Sequence, residues 1–143
     1  MRRISLAALA ALSLAGCVTS PYGNHLRNVS VDQQKLADDA VKQLATLWPP
    51  AKTQFELKQT TPDLFGNALL KNLRESGYAV MEFSPNATED NTLLPLRYVL
   101  SQIKGENGNL YHLTLWVGTE SITRPYIEQN GMVMPGGYWT HKE

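Results

Sequence analysis

The spacing of apolar residues changes along the chain, and this change determines which fold class the sequence can form. In residues 31–48 and 61–76, apolar residues recur every three or four positions, which is the period of an amphipathic helix. Shorter runs at 51–58 and 78–83 predict two strands. From Leu94 onward, apolar and polar residues mostly alternate, as in strands with one buried face. The predicted order is helix, strand, helix, strand and then a series of strands.

Residues that begin and end helices lie at the boundaries of both helical segments. Ser30 and Gln33 have the spacing of a capping box before the first helix, and Pro49-Pro50 ends it. Thr61 is the predicted cap of the second helix, with Pro62 at its first position. These signals predict two separate helices.

Glycine and proline also mark the strands. Gly77 is expected to end the second helix in a left-handed conformation. The following strand, 78–83, is apolar enough to lie centrally in a sheet. Asn107-Gly108 predicts a hairpin turn. Pro125 places its strand at an edge or at a bulge, and residues 132–134 form a short last strand.

These elements predict an α+β fold with two helices on one face of a small mixed or antiparallel sheet and a C-terminal β-meander. The predicted organisation has three parts. Residues 1–16 are a signal peptide, residues 17–30 are a lipidated cysteine with a flexible tether, and residues 31–143 are a single globular domain.

The first 17 residues have the pattern of an export signal. Two arginines precede an apolar run that is shorter than the roughly 20 residues a membrane-spanning helix needs. The run ends in Leu14, Ala15, Gly16 and Cys17, which resemble the lipobox of bacterial lipoproteins. The resemblance implies cleavage before Cys17 and a covalent lipid on this only cysteine. By analogy with enteric lipoproteins, Val18 favours the outer membrane, with the domain facing the periplasm.

Two segments are candidates for partner binding. In the tether, Tyr22 and Leu26 are the large apolar residues, and the segment is either an inert spacer or a short docking segment. Near the C-terminus, aromatic residues and methionines cluster where core periodicity is weak, so they form either an exposed contact surface or part of the core. The members of this C-terminal cluster are Tyr126, Met132, Met134, Tyr138 and Trp139.

The sequence carries no signature of catalysis or of metal binding. His25, His112 and His141 have no His or Cys at metal-ligand spacing, and His112 is expected to face solvent. Arg97 and Arg124 lie on predicted strands, where they are expected to pair with carboxylates. With 13 basic and 13 acidic residues, the chain has no excess positive charge for nucleic acid. We therefore predict a protein that is not an enzyme and has no cofactor apart from the lipid.

Three stretches together resemble the TrbH family of conjugal transfer lipoproteins. They are the lipobox with its polar tether, residues 61–80, and residues 95–100 with the hairpin that runs to Tyr126. The resemblance implies a component of the mating-pair-formation apparatus of conjugative plasmids, which is a type IV secretion system. The order of helices and strands is also similar to the N0-type domain of secretins.

The leading hypothesis is therefore a structural lipoprotein of the outer-membrane core complex of a conjugative type IV secretion system. Its partners would be other core-complex subunits in a ring-forming hetero-oligomer, and it would not bind nucleic acid directly. The alternative is an accessory or pilot lipoprotein of another envelope export or assembly machine. An envelope enzyme would need a His or carboxylate cluster that the sequence does not provide.

Overall fold

The computed structural model describes residues 20–26, 31–105 and 108–143. The predicted signal peptide, Cys17, Ser30 and Asn107 lie outside the described residues. Within them the α+β prediction is confirmed. The helices are α1 (Gln33–Leu47) and α2 (Leu64–Glu75), and a short 3-10 turn spans Pro50–Lys52. The strands are β1 (Gly23–Asn24), β2 (Gln54–Leu57), β3 (Ala79–Met81), β4 (Leu94–Gly105), β5 (Gly108–Val117), β6 (Glu120–Gln129), β7 (Met132–Pro135) and β8 (Thr140–Lys142).

The described strands form one mixed sheet in the order β3-β2-β4-β5-β6-β7. Strands β4, β5 and β6 form the predicted antiparallel meander, whereas β1 and β2 run parallel to β4 along the same edge of it. The buried side chains alternate along the long strands and form one cluster with the apolar stripes of both helices. The largest fully buried members are Tyr98, Tyr111, Phe55 and Phe65.

The N-cap residue of each helix is an aspartate. The Asp32 carboxylate accepts a hydrogen bond from the Lys35 amide at 3.1 Å, and that of Asp63 accepts one from the Gly66 amide at 2.9 Å. The prediction that Thr61 caps α2 is therefore wrong by two residues. The reason is tertiary, because other parts of the fold also hold the Asp63 carboxylate in place, as described below.

The strand after α2 lies at an edge of the sheet. Gly77 ends the helix with φ of +94°, as predicted. The expected central position of the next strand is wrong, because β3 has three residues and, among the described strands, pairs only with β2. Basic helix residues contact the backbone of both terminal strands: Arg74 donates to the Val80 carbonyl at 3.3 Å, and Lys35 donates to that of Val133 at 2.8 Å. Such side chains oppose pairing with further strands.

Pro125 lies inside the sheet, so the edge-or-bulge prediction needs correction. Strand β6 pairs with β5 on one side, and on the other side it pairs with β8 at residues 121–123 and β7 at residues 126–129. Pro125 falls between these two partners, where its missing N–H breaks no ladder. Strand β8 was not predicted, because Gly136-Gly137 precedes it and its residues are polar and exposed.

Within the described residues, no helix is both long and apolar enough to cross a membrane.

Candidate functional site

The segment that connects the domain to Cys17 is part of the sheet. Gly23 pairs with Val99 and Asn24 with Leu100, and the His25 amide donates to the Leu100 carbonyl at 2.8 Å. This pairing covers the edge of β4 just beyond the stretch that β2 covers. Residues 23–25 are therefore fixed by backbone hydrogen bonds.

A polar cluster holds this segment against both helices, and we call its members, Asn24, Gln33, Asp63 and Tyr98, the Asn24 junction. The Asn24 amide nitrogen donates to Gln33 Oε1 at 2.7 Å and to Asp63 Oδ1 at 3.0 Å. The Tyr98 hydroxyl donates to Asp63 Oδ2 at 2.7 Å. Asp63 thus links the N-terminal segment, the start of α2 and the central strand β4.

Burial keeps the Tyr98 hydroxyl of the junction protonated. It raises the pKa of Tyr98, and the hydrogen bond to the Asp63 carboxylate raises this pKa further. Because the phenol stays protonated, it remains a donor to the carboxylate. Gln33 Oε1 also accepts a hydrogen bond from the Phe65 amide at 3.2 Å, so Gln33 connects the first turns of both helices.

Tyr22 and Leu26 both pack against the domain. The Tyr22 ring meets the Trp116 ring edge-on at 5.2 Å, and the Arg97 guanidinium lies 5.4 Å from the Tyr22 centroid. Leu26 is partly buried against the core. Residues 22–26 therefore pack on the chain's own domain, and partner binding by Tyr22 and Leu26 stays a prediction. The expected partner of Arg97 was a carboxylate, and the structure places an aromatic ring beside it instead.

A cavity of about 460 Å³ opens beside this docked segment. Its lining includes Ser20, Asn24, Lys58, Pro62 and Phe83. Gln59 lies at its inner wall and bridges the gap between β2 and β1. Its side-chain oxygen accepts the Tyr98 amide at 2.8 Å, while its nitrogen has no hydrogen-bond partner among the described residues.

The C-terminal cluster divides into buried and exposed members. Tyr126 is 2% exposed and donates to Asp39, so it belongs to the core. Met134 and Trp139 are partly buried. Met132 is 60% exposed and Tyr138 is 91% exposed, and these two remain available for contact with a partner.

Arg124 fastens the end of the chain to helix α1. Its guanidinium donates to Asp39 at 2.9 Å and to the Gly137 carbonyl at 2.9 Å, which confirms the expected carboxylate pair. The same group lies 5.7 Å from the Trp139 ring centroid. Burial and the hydrogen bond to Asp39 raise the pKa of Tyr126.

One group of described residues has side-chain atoms close enough to hold a metal ion. The ligand atoms of Glu120, His141 and Glu143 lie within 4.8 Å of one another, although the sequence spacing of these residues gave no such indication. His141 Nε2 is 2.8 Å from Glu120 Oε1, and the ring meets Trp48 edge-on at 5.6 Å. These two contacts account for the position of His141 without an ion. His112 is exposed, as predicted.

The residues of the Asn24 junction were not recognised as a site from the sequence. Asn24 lies in a polar segment, and the sequence indicates Gln33 only as part of a capping box. The nearest sequence signal was Asp63, a good N-cap residue directly after Thr61-Pro62. Their proximity depends on the sheet register, which brings residues 39 positions apart into contact.

Comparison with known protein families identifies the family of this chain. The family model described as conjugal transfer protein TrbH matches residues 19–143. No curated protein and no solved structure matches the chain.

Proposed function

Because the chain belongs to the TrbH family of conjugal transfer proteins, we propose that it is a lipid-anchored structural component of the conjugative type IV secretion apparatus. Its Cys17 would be acylated, and the lipid would hold the domain at the periplasmic face of the outer membrane. The observation that carries this proposal is the family match, which covers every residue that the structure describes and begins two residues after Cys17. The family assigns a role in conjugal transfer with other components of the transfer system, and membership of the core complex goes beyond it.

Two or three acyl chains would make attachment effectively permanent, since each buried CH₂ stabilises it by about 0.8 kcal/mol. The Asn24 junction then transmits this attachment to the fold, because it ties the segment after Cys17 to both helices and to β4. The lipid would therefore be joined to a segment whose residues 23 and 24 belong to the sheet.

Contact with neighbouring subunits would use exposed side chains of the C-terminal cluster. Tyr138 is 91% exposed and Met132 is 60% exposed, and aromatic residues and methionines are enriched at protein interfaces. Arg74 and Lys35 contact the backbone of the two terminal strands, which disfavours assembly by strand addition. In a ring, many copies would make modest contacts effective through high local concentration.

Metabolic labelling with palmitate and density fractionation of donor cells test this proposal. We expect the wild-type chain to incorporate label and to sediment with the outer membrane, and Cys17→Ser to do neither. Pull-down of the labelled protein from detergent-solubilised outer membrane should recover transfer subunits. Recovery of another envelope machine would instead support the accessory-lipoprotein alternative, and an unlabelled soluble wild type would contradict the anchor.

A further inference from the structure

The docked segment limits how far the domain can lie from Cys17. Backbone pairing begins at Gly23, and Tyr22 packs on Trp116, so residues 22–24 are fixed to the sheet. Ser20 is three residues from Cys17. A fully extended chain spans at most about 3.6 Å per residue, so the two Cα atoms lie within about 11 Å of each other. This distance is similar to the roughly 5–8 Å thickness of one headgroup layer of a bilayer.

The side chains around Ser20 are suited to contact with a headgroup layer. Phe83 is 41% exposed and lines the same cavity as Ser20, together with Pro62 and Lys58. Leu64, next to the cap of α2, is 63% exposed. Exposed apolar groups can insert into the headgroup layer, while the Lys58 ammonium at this surface is already paired with the Glu56 carboxylate at 2.9 Å.

We propose that the surface formed by Ser20, Lys58, Pro62 and Phe83, here called the Ser20 surface, lies against the phospholipid headgroups of the membrane that holds Cys17. This inference rests on the proposed acylation of Cys17. It adds a defined orientation, in which the Ser20 surface faces the lipid. Strand β7, at the other end of the sheet order from β3, faces away.

Site-specific fluorescence in vesicles tests this orientation. The chain has one cysteine, and acylation consumes its thiol, so an introduced cysteine is the one free thiol for a maleimide dye. Phe83→Cys places the dye on the Ser20 surface. Met132→Cys is the matched control, because Met132 is also apolar and exposed but lies on β7. The lipidated full chain is incorporated in phosphatidylethanolamine–phosphatidylglycerol vesicles that contain a headgroup nitroxide lipid.

We expect several-fold stronger quenching at position 83 than at position 132. A second variant carries a spacer of about 20 Gly and Ser residues between Thr19 and Ser20, which adds a root-mean-square reach of about 25 Å. This variant should still float with the vesicles, and the difference between the two dye positions should be largely lost. Circular dichroism of each variant checks that it is folded.

The outcomes separate the orientation from the anchor. Protein that floats with vesicles but is quenched equally at both positions would overturn the orientation and leave the proposed function intact. If the spacer variant kept the same difference in quenching between positions 83 and 132 as the native connection, the orientation would also be overturned. Protein that fails to float at all would overturn the acylation of Cys17, and the orientation with it.

Discussion

The side-chain amide of Asn24 donates a hydrogen bond of 3.0 Å to Asp63, the N-cap residue of helix α2. This contact joins residues 39 positions apart and connects the segment after the predicted lipidation site to the centre of the fold. The same carboxylate accepts hydrogen bonds from the Gly66 amide and the Tyr98 hydroxyl. The attachment segment and the core are therefore expected to lose stability together when this contact is removed.

Substitution of Asn24 tests that coupling. Asn24→Ala removes the hydrogen bonds to Gln33 and Asp63, and we expect the free energy of unfolding to fall by about 1–3 kcal/mol because two partly buried acceptors lose their partner. Residues 20–26 should also become more sensitive to protease. Urea denaturation and limited proteolysis measure both effects. Asn86→Ala, in an exposed loop, is the matched control, and an equal change in both variants would contradict the role of the junction.

Gly66 is required by its close approach to Tyr98. A Cβ at position 66 would overlap the Tyr98 hydroxyl and crowd Thr61. Gly66→Ala should therefore destabilise the fold, since overpacking costs about 1–3 kcal/mol and the gain in helix propensity is at most about 1 kcal/mol. In a Tyr98→Phe background the same substitution should cost less. A double-mutant cycle by chemical denaturation measures this, and strict additivity would show that the overlap is not the cause.

The sequence predicted those parts of the fold that depend on local period. Leu36 and Leu44 in α1 follow the helical spacing, Leu96 and Leu100 follow the strand alternation, and all four are buried as predicted. These positions were predictable because one buried face imposes its period on the residues along it.

Other features depend on which distant segments meet. Thr61 and Asp63 are both acceptable caps by residue type, and contacts with Asn24 and Tyr98 favour Asp63. The edge position of β3 follows from its pairing with β2 alone, which its apolar composition does not reveal. Tyr126 and Tyr138 are the same residue type, but Tyr126 lies on β6 and is buried, whereas Tyr138 lies between β7 and β8 and is exposed.

Alkaline pH is expected to destabilise the domain. Burial and the hydrogen bond to Glu128 raise the pKa of Tyr111 to about 12, and burial also raises the pKa of Tyr98 and of Tyr126. Each phenol is held neutral more strongly in the folded state. Its stabilising effect is therefore complete below the unfolded pKa of about 10 and is lost as pH rises through the folded pKa.

Urea unfolding between pH 8 and pH 12 measures this dependence. We expect a constant contribution from these phenols up to about pH 10 and a progressive loss above it. In Tyr111→Phe the loss between about pH 10 and pH 12 should be smaller, because this phenol no longer ionises. If the free energy of unfolding of Tyr111→Phe fell with pH as steeply as that of the wild type, the loss could not be assigned to ionisation of Tyr111.

Tyr138 and Trp139 are adjacent and should behave differently when truncated. Trp139 packs against the core beside Tyr126, so Trp139→Ala should lower the free energy of unfolding by roughly 1–3 kcal/mol. Tyr138 is exposed, so Tyr138→Ala should leave stability unchanged while it weakens recovery of transfer subunits in pull-downs. Stable Tyr138→Ala protein with wild-type recovery would exclude Tyr138 as a contact residue.

The plasmid transfer frequency of donors that carry Cys17→Ser tests the central claim, that a lipid-anchored domain serves conjugal transfer. The variant keeps every described residue of the domain and removes only the thiol that would carry the lipid. We predict soluble protein at wild-type abundance and a large loss of transfer, restored by the wild-type chain in trans. Wild-type transfer by protein shown to be soluble would contradict the account.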